Sequence, residues 1–228
     1  MKKLNFLYIS RGPIGIKCWD ELLHAFNWMN RNFSISVLED RSSENIIINT
    51  IKNSEINVLI SIQTTKIFSE NVLEAVNFNA FNLHNAKLPD YKGFNTMGHA
   101  ILNKEKTYTT TIHWISPGVD CGDIAYEKEF SIGEDETAYS LYHNSIYWAT
   151  QNFISLLHGL DRGNIPRIPQ TGEGKFYKKS DLNNYREIID INNIDEVDVK
   201  SRAFHIPPYE PAYYILKGKK FYIKPDES

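Results

Sequence analysis

The 228 residues are 42% hydrophobic and 23% charged, with a formal net charge of −3. Those values describe a globular chain and exclude a disordered chain, a fibre and nonspecific nucleic-acid binding through a basic face. The two cysteines, Cys18 and Cys121, follow no metal-ligand spacing, and no run approaches the roughly 20 apolar residues of a membrane span. The chain therefore reads as cytoplasmic, with free thiols, no metal and no membrane or nucleic-acid partner.

Residues 4–9 form an apolar run that predicts a buried strand. Gly12-Pro13 opens a helix, proline being favoured near a helix start, with Trp19, Leu22, Leu23 and Phe26 on its apolar side. Residues 34–38 read as a second strand and residues 43–53 as a helix capped by Ser42 or Ser43. A third strand over 56–60, a short helix over 69–75 and a fourth strand over 78–83 follow. This alternation predicts an α/β fold, a Rossmann-like, mostly parallel sheet with helices on both faces.

Beyond Gly93 the pattern changes. Residues 96–102 read as helical, and residues 108–115 and 124–130 as strands placed to pair in a long hairpin. Ala138, Leu141, Tyr142, Ser145, Ala149, Phe153, Leu156 and Leu157 keep helical spacing, with Thr137 or Asp135 as the cap and Gly159 as the stop. From Arg162 the composition turns towards Gly, Pro, Lys and Tyr. Residues 165–169 look like a linker, 196–204 like a short helix, and 212–216 with 220–223 like a β-hairpin. The expected organisation is a main domain over residues 1–160 and a small C-terminal extension with a β-hairpin over 161–228.

Polar residues gather at two strand ends. Asn82 and His84 lie two apart after an apolar run, so on a strand they share a face. Asp120 lies in the Gly-bounded loop Gly118-Val119-Asp120-Cys121-Gly122, after the strand that carries Thr111-Ile112-His113-Trp114. Such groups converge at the edge of an open sheet, where α/β proteins bind ligands. Transfer of a one-carbon acyl group to an amine needs a donor for the oxyanion, a base for the amine proton and a group that orients the base. Asn82 offers an amide donor, and His84 a base that titrates near neutrality. Asp120 offers a carboxylate that orients the imidazole, stabilises its cation or relays a proton through water. Taken singly, the same residues are a strand-end cap, a satisfied histidine and a turn aspartate. His113 reads as structural. Lys87 and Lys92 flank the pair and either meet a phosphate or stand solvated.

Asn82-Leu83-His84 running into Leu88-Pro89, Tyr91 and Gly93, then Thr111-Ile112-His113-Trp114 and Val119-Asp120-Cys121-Gly122-Asp123-Ile124, resembles the formyltransferase family that uses 10-formyltetrahydrofolate. The resemblance runs in order through residues 1–160 and is densest over 81–124. It implies a formyltransferase catalytic domain over 1–160 with Asn82, His84 and Asp120 as the catalytic trio. It also implies that the loop Ser61-Ile62-Gln63-Thr64-Thr65-Lys66-Ile67 lines the pterin pocket, with Gln63 and Ile67 as cofactor contacts.

Within that family the loop Ser10-Arg11-Gly12-Pro13-Ile14-Gly15 is less glycine-rich than in purine-pathway members, where glycines surround a ribonucleotide phosphate. Methionyl-tRNA members are expected to carry a further basic C-terminal barrel. His84-Asn85-Ala86-Lys87-Leu88-Pro89, Gly93-Phe94-Asn95-Thr96 and Arg202-Ala203-Phe204 with Pro207-Pro208-Tyr209 resemble the sugar-nucleotide N-formyltransferase branch. That branch implies a dTDP-linked amino-dideoxy sugar as acceptor, most often 4-amino-4,6-dideoxyglucose, a role in O-antigen or lipopolysaccharide synthesis, and a homodimer. Lys87 and Arg202 would then meet phosphate, Arg202 bidentately, and Tyr209 would stack a thymine. The C-terminal extension would supply nucleotide and dimer contacts. The alternatives are a glycinamide ribonucleotide formyltransferase and a non-catalytic nucleotide-binding module on the same sheet.

Overall fold

The structure, a computed structural model, describes residues 3–28, 33–181 and 185–225. The side chain of Phe26, expected on the apolar side of the first helix, lies outside the described residues.

Strands β1 (Leu4–Ser10), β2 (Phe33–Leu38), β3 (Val58–Ile62) and β4 (Ala80–His84) pair in parallel. A short β5 (Lys92–Gly93) follows, then β6 (Thr107–Trp114) and β7 (Ile124–Ser131), which extend the sheet antiparallel from β4. The resulting order is β2-β1-β3-β4-β6-β7. The inner parallel strands are near-continuous apolar runs because helices cover both faces. Helix α1 (Gly12–Trp28) and the long α5 (Ala138–Arg162) close one face, where Cys18, Leu22, Phe153 and Leu156 meet Phe6, Tyr8, Ile60 and Phe81. Helices α2 (Glu44–Asn53) and α3 (Glu70–Ala75) close the other, where Ile47, Ile51 and Leu73 meet Leu7, Ile9 and Leu59. Alternate residues of β1 thus feed opposite cores, as the two-residue period of a strand requires.

The C-terminal extension packs on this body. A third core joins Tyr91 and the residues Met97 and Ile101 of α4 (Thr96–Leu102) to Tyr177, Ile188, Phe204 and Ala212. Its own elements are β8 (Phe176–Tyr177), which pairs with β5, then α6 (Ile194–Ala203) and the hairpin β9 (Ala212–Leu216) and β10 (Lys219–Ile223). Lys217 and Gly218 turn that hairpin with φ of 48° and 75°, the two positive angles a tight hairpin loop needs.

Three expectations are revised. Gly159 does not end α5. The helix runs on to Arg162 and stops at Gly163, whose φ of 68° suits a glycine cap. Gly159 is instead a close approach, since a Cβ there would overlap the hydroxyl of Tyr126. The third strand begins at Val58, not 56, because the amide of Ile56 still bonds the Ile51 carbonyl at the end of α2. The linker-like stretch is fastened down: Ile168 and Ile124 exchange backbone hydrogen bonds of 2.7 and 3.0 Å, and the Trp114 indole donates to the Pro166 carbonyl at 2.8 Å. No helix among the described residues is long and apolar enough to cross a membrane.

Candidate active site

The end of β4 places the first two polar groups. Its burial alternates: Phe81 and Leu83 enter the core under α5, which leaves Asn82 and His84 on the opposite face. Register sets Asn82 between Ser61 of β3 and His113 of β6, and His84 beside Thr111. Beyond His84 the chain leaves the sheet, and β6 takes up its carbonyls. The Tyr108 hydroxyl donates to Asn85 O at 2.6 Å and the Thr111 hydroxyl to Ala86 O at 2.8 Å. The chain then turns back until the Tyr91 carbonyl lies 2.6 Å from His84 Nε2. A carbonyl only accepts, so Nε2 carries the proton and Nδ1 is the nitrogen with a free lone pair.

The loop between β6 and β7 brings the third group. Asp120 Oδ2 stands 3.5 Å from His84 Nδ1, and Oδ1 stands 3.5 Å from His113 Nε2. Asp120 has φ of 51°, a left-handed conformation that aspartate tolerates. Gln170 of the extension holds the loop there, its amide donating to the carbonyls of Asp120 at 2.9 Å and Gly122 at 2.7 Å. The Gly93 amide donates to Asp120 Oδ2 at 3.3 Å. Burial raises the Asp120 carboxyl, but the two imidazoles and the Gly93 amide outweigh it and bring it down to about 2. Burial pushes the His84 imidazole below its ordinary value, against the opposing pull of Asp120 and the Tyr91 carbonyl. At neutral pH the site thus holds a carboxylate beside an uncharged imidazole.

A cavity of about 440 Å³ opens over these groups, walled by the loop after β3, the Asp120 loop and the β5–β8 pair. Gln63 and Ile67 both line it; Ile67 is 66% exposed, and the Gln63 amide donates to the Tyr142 hydroxyl of α5 at 3.2 Å. Phe94 and Phe176, both exposed, flank it. Three expected contacts stand elsewhere. Lys87 pairs with Asp90 at 3.2 Å and lines a separate cavity beside Tyr91 and Lys175. Arg202, on α6, grips Asp198 and donates to the Glu136 carbonyl, and Tyr209 is 69% exposed outside the cavity. Four participants were not singled out for the site from sequence: the Tyr91 carbonyl, His113, Gln170 and Phe176. Only His113 carried a signal, its place two residues beyond Thr111 on a strand next to the Asp120 loop.

The formyl transferase family matches residues 24–155, more than half of the chain and all of the region that carries Asn82, His84 and Asp120. The chain belongs to the formyl transferase family. It is 30% identical over 160 residues to a methionyl-tRNA formyltransferase of Methylacidiphilum infernorum, covering 70% of this chain and 50% of that protein. It is 28% identical over 172 residues to a GDP-perosamine N-formyltransferase of Brucella melitensis, covering 75% of this chain and 65% of that one. The chain spans 50% to 65% of the length of these relatives. Among solved structures, a sugar N-formyltransferase of a Shewanella species superposes with a TM-score of 0.80 at 19% identity, over 97% of this chain and 96% of that one. An N-formyltransferase of Helicobacter canadensis, in complex with folinic acid and dTDP-3-aminofucose, superposes with a TM-score of 0.73 at 20% identity, over 95% and 86%. At such identities the likeness is one of fold.

Proposed function

We propose that this chain is a sugar N-formyltransferase. It moves a formyl group from 10-formyltetrahydrofolate to the amine of a dTDP-linked amino-dideoxy sugar, dTDP-4-amino-4,6-dideoxyglucose, for O-antigen or a related surface polysaccharide. It works as a cytoplasmic homodimer. The observation that carries this reading is the meeting of Asn82, His84 and Asp120 in one cavity, in a chain of this family. Support for the donor and the acceptor comes from fold neighbours solved with dTDP and 5-N-formyl-THF, or with folinic acid and a dTDP-amino sugar. The Brucella relative supports an amino sugar but names a GDP-linked one, which makes GDP-perosamine the second acceptor to test.

In this reaction the acceptor nitrogen attacks the formyl carbon and the carbonyl π pair moves to oxygen. The Asn82 amide donates to that oxyanion. The amine proton passes to His84 Nδ1, and Asp120, 3.5 Å from that nitrogen, stabilises the imidazolium. Tyr91, not Asp120, orients the ring, through the proton on Nε2. Collapse breaks the bond from the formyl carbon to N10 of the folate. N10 takes the proton from His84, so tetrahydrofolate and the formamide leave and the base is restored. Gln63 and Ile67, which line the cavity, would serve as donor-side contacts.

The test mixes the protein with 10-formyltetrahydrofolate and either sugar nucleotide, and reads the sugar by mass spectrometry. The expected result is a gain of one CO unit with the dTDP sugar that His84→Asn abolishes while folate binding survives. No gain on either acceptor, with folate bound, would sink the sugar assignment. A near-normal rate in His84→Asn would remove His84 as the base.

A further inference from the structure

We propose that His113 is a positioning residue for formyl transfer, one that fixes the Asn82 amide through its own Nε2. The proposal rests on the reading of Asn82 as the oxyanion donor. The sheet brings the two side chains together twice over. Register sets His113 directly across from Asn82, where cross-strand side chains touch. In addition, β7 carries one residue too many at this point: Ile112 pairs with Tyr126 and His113 with Ile124, so Ala125 is left unpaired. A bulge of this kind bends the strand and re-aims a side chain, commonly beside a site.

Hydrogen-bond roles at the ring then follow by elimination. His113 is buried, at 3% exposure, and its Nδ1 lies 2.9 Å from the Trp114 carbonyl. The carbonyl accepts, so Nδ1 holds the proton and a neutral ring offers Nε2 as an acceptor. Asn82 Nδ2 lies 3.0 Å from that nitrogen, within donating distance, and is nearer to it than Asp120 Oδ1 at 3.5 Å. The Trp114 carbonyl is itself immobilised. Its neighbour Gly122 packs so closely that a Cβ would overlap the oxygen, and the Trp114 amide donates to Asp123 O at 2.8 Å. The chain of contacts runs from Gly122 to the Trp114 carbonyl, to the His113 ring, to the Asn82 amide.

This contact matters because an asparagine amide turns freely about its last torsion, whose minimum is broad. Spending one N–H of Asn82 on His113 fixes the amide plane and aims the second N–H into the cavity. An apolar residue at 113 would leave that plane free, and the donor would be misaligned for much of the time.

His113→Leu and His113→Gln separate this role from packing, because the glutamine side chain brings an acceptor oxygen to about the reach of Nε2. With 10-formyltetrahydrofolate and dTDP-4-amino-4,6-dideoxyglucose, His113→Leu is expected to lower kcat about tenfold to a hundredfold, part of the loss seen when an oxyanion donor is removed outright. KM for both substrates should stay within about twofold, and His113→Gln should recover most of kcat. A Leu variant with wild-type kcat, or a Gln variant as slow as Leu, overturns the proposal. A second arm needs no acceptor. Long-range 1H–15N spectra of the unliganded protein labelled at histidine should show His113 as the Nδ1–H tautomer, with an Nε2 resonance that moves towards that of a free nitrogen in Asn82→Ala. An Nε2–H tautomer, or no movement, overturns the proposal. Because these spectra are read without the sugar, a wrong acceptor and a wrong role for His113 give different results.

Discussion

Replacing Asp120 by Asn removes a charge while keeping the shape and an oxygen for the Gly93 amide. The carboxylate stands 3.5 Å from His84 Nδ1, the nitrogen that becomes charged in the proposed reaction. At that separation the attraction is worth about 1 kcal/mol in water-like surroundings and about 5 kcal/mol at an effective dielectric of about 20. Since each 1.4 kcal/mol or so is tenfold in rate, Asp120→Asn should lower kcat by roughly tenfold to a thousandfold. The pH dependence supplies the sharper check. Burial lowers the His84 value and Asp120 opposes that. Without the carboxylate the imidazole becomes a weaker base still, so the acidic limb of the kcat profile should move to lower pH as the plateau falls. The assay is the initial rate of tetrahydrofolate release from about pH 5 to about pH 8, the range in which histidine changes charge. General damage to the fold would lower the plateau and leave the limb in place. A plateau within about threefold of the wild type, or a limb displaced upwards, would refute the account of Asp120 as the partner of the imidazolium.

Two further outcomes follow. Gly122→Ala drives a Cβ into the Trp114 carbonyl, so the Asp120 loop must shift; both melting temperature and kcat should fall, with a destabilisation of about 1–3 kcal/mol, and a variant that melts as the wild type does would show that the loop has slack. Acid stability should carry the mark of His84: its folded value lies below its ordinary one, so the unfolded chain binds the extra proton, and stability present above about pH 6.5 is lost as pH falls from there towards the folded value. Calorimetry across that window should show a step that His84→Asn lacks, and identical curves for the two proteins would count against a neutral buried imidazole.

How much of this was legible in the sequence depended on how local each cause is. The parallel strands were, because Phe6, Leu7, Tyr8 and Ile9 form an apolar run between turn residues. Asn82 and His84 were too, because a spacing of two settles which residues share a face of a strand. Gly159 misled, since a glycine in a helical pattern marks either a stop or a close approach, and Tyr126, which decides between them, is far away in sequence. Gln170 and Phe176 were illegible for the same reason: one acts on a loop about fifty residues earlier and the other lies in a strand of two residues, too short to show a period. His113 stood in plain view on a threonine-rich strand, but its role depends on cross-strand register and a bulge, neither of which leaves a trace in composition.

The deepest gap concerns the backbone. The chemistry of the site turns on which nitrogen of each imidazole bears the proton, and two main-chain carbonyls decide it. Tyr91 O accepts a hydrogen bond from His84 Nε2, and Trp114 O accepts one from His113 Nδ1. The two rings are therefore anchored by opposite nitrogens. They turn Nδ1 of one and Nε2 of the other towards the two oxygens of a single carboxylate. A carbonyl belongs to every residue, so no substitution pattern could announce these two. What places them is the return of the chain after β4 and the tight packing of Gly122, and both are properties of the fold. In the proposed reaction the residue types at 82, 84 and 120 supply the chemical groups, while the path of the main chain determines which of their atoms can take part.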